Sequence, residues 1–411
     1  MKRATAAERT RLEMMRLCHS SVDARTLRTE LLERLRTVIP FDASFFSTTD
    51  PATLLFTSSL LDFALPTWAR VRLVENEFMQ EDFNKFLYLL KNRLPVGVLS
   101  DQTEGDLRRS PRYRDVLTPL ALGDEMRATF VANAACWGTL CLHRERATPA
   151  YTPAEAAFLG RLTPHIAEGL RKALLLEHLQ EHPLGAPPPD GPGVLILADE
   201  LSIVTLNPAA ESWLAELAEA ERGDKQALPQ SILTVVARLR ALEPELAAAA
   251  PAPPKVRLHT PSGQWLMLSA SRLSRWGEQG QVAVLFEVAH PVDIAPLIMQ
   301  AYHFTKREGE VTHLILQGCA TTEIAATLQM SVHTMQDHLK AIFEKVDVRS
   351  RRELVGRIFA QHYQPHFVAD TPYQPRFRAA PVDAAGRLTS MERLSSESTT
   401  ASPQTPGNAR P

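Results

Sequence analysis

TKREGEVTHLILQG (residues 305–318), TTEIAATLQM (321–330) and SVHTMQDHLKAIFEKVDVRSRRELV (331–355) decide how this chain is read. Thr305-Lys306-Arg307-Glu308 is a capping box: the threonine hydroxyl and the glutamate carboxylate each close a backbone N–H that the first helical turn leaves open. A helical run follows to Gln317 and stops at Gly318, a residue free to enter the left-handed region. A short helix is predicted over Thr322–Leu328, then a turn through Gln329-Met330. Ser331 caps a third helix that reaches about Val346. Ser350-Arg351-Arg352-Glu353 is a second capping box, opening a last helix that fades near Tyr363, before Pro365. Two helices joined by a tight turn, the second presenting polar groups, have the geometry that enters a DNA major groove.

FTKREGEVTHLILQG, EIAATL and SVHTMQDHLKAIFEKVDVRSRRELV, at this spacing, resemble the C-terminal helix-turn-helix domain of LuxR-type bacterial transcriptional regulators. The resemblance covers about an eighth of the chain. It implies that Gln336, Asp337 and Lys340 read base edges, and that Thr334, His338 and Lys345 lie at or near phosphates. The chemistry agrees. Glutamine bonds adenine bidentately, aspartate accepts from cytosine N4, and lysine suits guanine. A merely solvated helix face would show the same residues; the helical framework around them favours DNA. Val332, Met335, Leu339, Ile342, Phe343 and Val346 recur at three- and four-residue steps and are the expected core. Two positions depart from the family pattern. Ala320 stands where a serine cap is common, so Thr321 must substitute or the cap is lost. Asp347 stands where glycine is favoured after the recognition helix.

Charge supports this reading only in part. From Ala301 to Tyr363 there are eight Lys/Arg against seven Asp/Glu, but from His338 onward six against three. The basic portion is the back half of the recognition helix and the following turn, with Arg349, Arg351 and Arg352. The helix start at Ser350 adds backbone N–H groups suited to a phosphate. Modest charge implies modest affinity per head, hence a homodimer on paired half-sites of double-stranded DNA. Leu354, Val355, Ile358 and Phe359 are expected to supply part of the dimer contact.

The chain has 411 residues and a net charge of −2, which suits about three domains and excludes a globally basic nucleic-acid coat. The N-terminus lacks the apolar core of a signal peptide, and no apolar run approaches the roughly 18–20 residues that cross a bilayer. Cys18, Cys136, Cys141 and Cys319 form no Cys-x-x-Cys pair, so reduced thiols in a cytoplasmic protein are expected. Cys136 and Cys141, five apart on a strand, should face opposite sides.

Composition predicts a multidomain chain: an α/β domain over 1–181, a second α/β domain over 190–290, a connector over 291–303, the all-α four-helix head over 304–364, and a proline-rich disordered tail over 365–411. The boundary between the first two is HPLGAPPPDGPG (182–193). In the first domain, helices near Leu27–Val38, Pro66–Glu75 and Asp82–Lys91 alternate with strands near Ala43–Thr48 and Val96–Leu99. A hairpin of Glu125–Ala132 and Cys136–Arg144 follows, turning at Asn133 to Ala135. Thr152-Pro153-Ala154-Glu155 then opens a long helix with an apolar stripe, which Pro164 should kink. CWGTLCLHRE ahead of TPAE, in this order of elements, resembles GAF-like sensor domains.

In the second domain, strands Gly193–Ala198 and Leu201–Leu206 precede a helix capped by Asn207 with Pro208 at its first position. A helix Ser231–Leu242 and strands Lys255–His259, Gln264–Arg272 and Gln281–Val288 complete the unit. Two strands, helices and three strands, with the Asn-Pro-Ala-Ala start, resemble a PAS fold; other small sensor folds share the order.

Other chemistry is thin. His178 and His182 could ligate a metal, but a charged helix end explains them. Trp137, Phe130 and Cys141 could line a pocket, with packed core as the default. His143 and Arg144 could bind an anion, though strand-end exposure explains them equally. No Walker loop, Ser/His/Asp set, metalloprotease motif or phosphoacceptor pattern stands out. The expectation is a non-enzymatic, one-component regulator without a bound cofactor, open to an unknown small-molecule effector and without a membrane partner. The rival reading is a signalling adaptor whose near-neutral head binds protein.

Overall fold

The computed structural model describes residues 6–63, 65–179, 189, 191–221, 227–246, 254–275 and 278–358. The expected tail, Phe359 and His182 lie outside them, as does the side chain of His178.

The N-terminal domain opens with helices α1 (Ala6–Cys18) and α2 (Ala24–Arg36), then strands β1 (Ala43–Thr49) and β2 (Phe56–Leu61). Helices α3 (Thr67–Met79) and α4 (Phe86–Lys91), strand β3 (Val96–Val98) and the single turn α5 (Leu99–Gln102) come next. Strands β4 (Leu122–Ala132) and β5 (Ala135–Glu145) and the long helix α6 (Pro153–Leu179) complete it. The sheet order is β2-β1-β5-β4-β3, and every pair is antiparallel. Strand β2 has no counterpart in the sequence reading. Its polar run Thr57-Ser58-Ser59 hides a strand whose register is fixed only by pairing with β1, Phe45 opposite Leu61.

The hairpin turn is tighter than expected, two residues rather than three. Asn133 and Ala134 both have positive φ, 51° and 60°, as a type I′ turn requires. A bulge at Trp137 breaks the alternation of β5, because Phe130 pairs with Gly138 but Val131 with Cys136. The spacing of Cys136 and Cys141 therefore does not decide their faces. Trp137 joins the main core with Leu140 and Leu142, while Cys141 packs with Phe56, Phe86 and Leu89. Helix α6 runs without interruption through Pro164, and its stripe Phe158, Leu162, Ile166 and Leu170 is buried.

The middle domain repeats the same strand order. Strands β6 (Gly193–Ala198) and β7 (Ile203–Leu206) lead into α7 (Pro208–Glu221) and α8 (Gln230–Leu246). Strands β8 (Lys255–His259), β9 (Trp265–Arg275) and β10 (Glu278–Val288) follow, and the sheet reads β7-β6-β10-β9-β8. Numbered within its own domain, each sheet is 2-1-5-4-3. Asn207 caps α7 as expected, its Oδ1 accepting from the Ala210 N–H at 2.9 Å and the Val194 N–H at 2.9 Å.

The two domains share their cores. Leu55 and Val74 of the first are buried among middle-domain residues, and Trp265 and Met267 of the second among N-terminal ones. Asp50 and Arg257 clamp the seam with two side-chain hydrogen bonds, 2.8 and 2.6 Å, both groups nearly buried. Residues expected only as a connector form helix α9 (Pro291–Ala301), whose Ile294, Leu297, Ile298 and Ala301 are buried in the N-terminal core.

The head comprises α10 (Lys306–Leu316), α11 (Thr321–Thr327), α12 (Val332–Val346) and α13 (351–358). Val311, Ile315, Ile324, Met335, Ile342 and Val346 form its core together with Leu354 and Ile358. Leu354 is 0% and Ile358 3% exposed, so they hold the head together and are not free to form the expected dimer face. Val332, expected inside, is 42% exposed. It sits in the first turn of α12, beyond the reach of the packed helices.

Candidate nucleic-acid interface

Each turn of the head is set by its caps. Thr305 Oγ1 accepts from the Glu308 N–H at 3.2 Å while Glu308 Oε2 accepts from the Thr305 N–H at 2.7 Å, a complete capping box. At α11 only half a box exists. Ala320 has no side-chain oxygen, and Thr321 lies inside the helix and does not replace it, but Glu323 still accepts the Ala320 N–H at 2.6 Å. Gln329 takes positive φ, 51°, in the turn before the recognition helix. Ser331 caps α12 through the Thr334 N–H at 3.0 Å. Asp347 adopts the left-handed conformation expected of a glycine there, φ 56° and ψ 56°. Ser350 accepts from the Glu353 N–H at 3.1 Å, but Glu353 reaches back to Arg349 N–H rather than Ser350 N–H, at 2.7 Å.

With Met335, Ile342 and Val346 turned inward, α12 presents His333, Gln336, Asp337 and Lys340 on one outer stripe at i, i+3, i+4 and i+7. All four are exposed. Gln336 and Lys340 make no side-chain hydrogen bond or ion pair with any described residue, so their donors are available. Asp337 lies 3.2 Å from His333 Nδ1 in an exposed pair, a contact worth only a few tenths of a kcal/mol. Val332, one turn before Gln336, adds an apolar group to this stripe.

The residues expected at phosphates divide. Thr334 is exposed, its hydroxyl 2.9 Å from that of Ser331, and His338 is half-buried. Ser350 is engaged as a helix cap. Lys345 is drawn back into the scaffold, donating to Glu308 Oε2 at 2.6 Å and to the His303 carbonyl at 2.8 Å. Burial raises the Glu308 carboxyl, but Lys345 and the Thr305 N–H outweigh it, and its pKa falls below the usual carboxylate range. The Arg351 guanidinium donates to the Cys319 carbonyl. Lys345 ties α12 to α10, and Arg351 ties α13 to the loop after α10. Spacing alone gave no sign of either tie, because each bridges positions far apart in sequence.

Sequence reading also missed a buried polar cluster in the N-terminal domain. Arg112 donates to Glu125 Oε2 at 3.0 and 2.6 Å, and Arg127 to Glu125 Oε1 at 3.2 Å and Glu77 Oε2 at 2.7 Å. Burial raises the Glu125 carboxyl, but Arg112 and Arg127 overcome this and hold it at about 2. Burial pushes the neighbouring Cys141 thiol up to about 12 and holds His143 down at about 4. His143 and Arg144 are thus buried, not exposed at a strand end. Arg144 is committed to Glu155 at 2.5 Å and to the Pro40, Pro149 and Ala150 carbonyls. The available signal was Glu125 facing a Cys-x-His pair across a predicted hairpin.

No described helix is long and apolar enough to cross a membrane. Residues 303–357 match the family described as bacterial regulatory proteins, luxR family, so the head is a LuxR-type helix-turn-helix domain. No curated protein matches the chain. Among solved structures, it is similar to the GAF domain/HD domain protein from Geobacter sulfurreducens, with 20% identity over 40% of this chain and 99% of that one, TM-score 0.28. It is also similar to the GAF domain from Acinetobacter phosphoenolpyruvate-protein phosphotransferase, with 10% identity over 42% and 97% of the two chains, TM-score 0.29. The Vibrio cholera VqmA-ligand-DNA complex matches at 16% identity over 43% and 85%, TM-score 0.22.

Proposed function

We propose that this chain is a one-component, sequence-specific DNA-binding transcriptional regulator whose two upstream domains control the head. The observation that carries the reading is the outer stripe of α12, whose Gln336 and Lys340 are exposed and uncommitted within a complete LuxR-type head. Gln336, Asp337 and Lys340 read bases in the major groove, with Val332 placed for a thymine methyl. Thr334, His338 and the helix start at Ser350 meet phosphates. Lys345 and Arg351 have further N–H donors beyond those engaged and approach the backbone from where they are held. Two heads acting as a homodimer on half-sites supply the affinity that one near-neutral head lacks.

Control runs through contacts at the base of the head. Arg171 of α6 donates to the Ala301 carbonyl, and Glu168 lies 3.3 Å from His303 Nε2. The shared strand order and the Asn207-Pro208 helix start support a PAS-like middle domain beside the GAF-like first one. A cleft of about 420 Å³ between the two, lined by Arg28, Trp137, Trp265 and Leu297 among others, has the size of a small-molecule site. Leu297 belongs to α9, so an effector there would touch the helix that leads to the head. The setting proposed is the cytoplasm.

The test is binding of the full-length protein to its own upstream DNA and to a scrambled duplex. Gln336→Ala and Lys340→Ala should each lower the preference by about 1–3 kcal/mol, roughly 5- to 150-fold. If both variants keep the wild-type preference, the recognition-helix assignment fails. Arg352→Ala, at an exposed basic position, should weaken all duplexes alike and reduce the salt slope by about one. The near-neutral head favours one other reading, an adaptor that binds protein; absence of salt-dependent retention on random DNA would favour it.

A further inference from the structure

We propose that Glu125, Cys141 and His143 form a mononuclear site for a divalent transition-metal ion in the N-terminal domain. Glu125 on β4 stands directly opposite His143 on β5, and Cys141 lies two residues before His143 on the same face. Strand pairing therefore fixes the three side chains on rigid elements. Their donor atoms all lie within 4.8 Å of one another, with His143 Nδ1 4.0 Å from Glu125 Oε1. Metal bonds of about 2.0–2.3 Å need tetrahedral ligand atoms about 3.3–3.8 Å apart, so closure takes at most about 1–1.5 Å.

His143 Nδ1 is the second, independent observation. It is buried and has no hydrogen-bond partner among the described residues. A buried ring nitrogen in that state calls for an explanation, and facing a carboxylate and a thiol it has the position of a ligand. Beside the three is a cavity of about 40 Å³, walled by Phe45, Phe56, Phe63 and Phe86. That holds a water-sized fourth ligand and is far below the size of an organic-effector pocket.

The donor set names the class of ion. One sulfur, one imidazole nitrogen and one carboxylate oxygen suit zinc, ferrous iron or cobalt, whereas magnesium and calcium take oxygen ligands. Arg112 and Arg127 do not exclude a cation. Glu125 keeps lone pairs beyond those they use, and the arginines orient its carboxylate. Glu77 and Asp82 offset their two charges, with the Lys85 ammonium at the solvent edge, bonded to the Gln80 carbonyl. Binding releases the Cys141 thiol proton to solvent, so the ion and thiolate together add one positive charge to the cluster.

Full-length protein, stripped with chelator, is titrated with Co²⁺ near neutral pH. The expected result is one equivalent bound, a thiolate-to-cobalt charge-transfer band in the near ultraviolet, release of one proton, and loss of the band on adding Zn²⁺. Cys141→Ser should abolish the band and weaken binding by at least about 100-fold. Cys18→Ser and Cys136→Ser should retain both, with circular dichroism confirming that each variant is folded. Wild-type protein that takes up no stoichiometric Co²⁺ overturns the site and leaves a water at His143 Nδ1. A Cys141→Ser variant that keeps the band overturns it as well.

Discussion

Asp50→Ala tests whether the two upstream domains work as one body. Asp50 is 2% exposed as a side chain and Arg257 10%, and the two lie 207 positions apart in sequence. The carboxylate accepts the Arg257 Nε–H at 2.8 Å, an Nη2–H at 2.6 Å and the backbone N–H at 3.1 Å. Truncating it leaves the guanidinium with the Asp293 carbonyl of α9 at 3.0 Å and no counter-charge in an ion pair among the described residues. Breaking one side of such a buried pair costs about 3–5 kcal/mol. At about 2–4 °C per kcal/mol for a body of some 150–250 residues, Tm should fall by about 6–20 °C. Asp50→Leu combined with Arg257→Met removes both charges and should cost clearly less than Asp50→Ala alone. Thermal and urea unfolding of the full-length wild type, single and double variants give the coupling energy. A loss below about 1 kcal/mol for Asp50→Ala, or a double variant that simply adds two losses, would refute a clamp across the seam.

Glu221 gives a pH signature. Burial raises its carboxyl pKa to about 7, with the Gln230 N–H and Arg70 only partly offsetting this. A folded pKa above the unfolded one contributes stability below the ordinary carboxylate range, lost as pH rises through about 7. Glu221→Gln should therefore remove a decline of about 3 kcal/mol between pH 5 and 8 in urea unfolding; an unchanged decline would exclude this residue as its source. Ala134→Gly should stabilise the N-terminal domain by about 1 kcal/mol, because Ala134 holds φ at 60° in the hairpin turn; chemical denaturation showing a loss would contradict that geometry. Ile358→Asp places a charge in the head's core and should cost more than about 4 kcal/mol. A head that unfolds with wild-type cooperativity and loses only self-association would return Ile358 to a dimer face.

The head was legible because its signals are local. Capping boxes, Gly318, Ser331 and the three-and-four stripe act over a single turn of helix, so sequence spacing states them directly. The strands of the middle domain were legible for the same reason, as was the Asn207 cap. Strand β2 was not, since its polar residues become a strand only against β1. Neither was the bulge at Trp137, which decides which core that indole enters.

Sequence alone determined that a helix with Gln336, Asp337 and Lys340 on one face follows a tight turn after a scaffold helix. Tertiary structure decided which basic groups remain uncommitted, because Lys345 and Arg351 meet their partners Glu308 and Cys319 only after the helices pack. It also decided that the connector is a buried helix and that Asp50 finds Arg257. The same packing sets Glu125 beside Cys141 and His143. Hydrophobic burial and strand pairing act between residues distant in the chain, and no local pattern records which distant residue arrives.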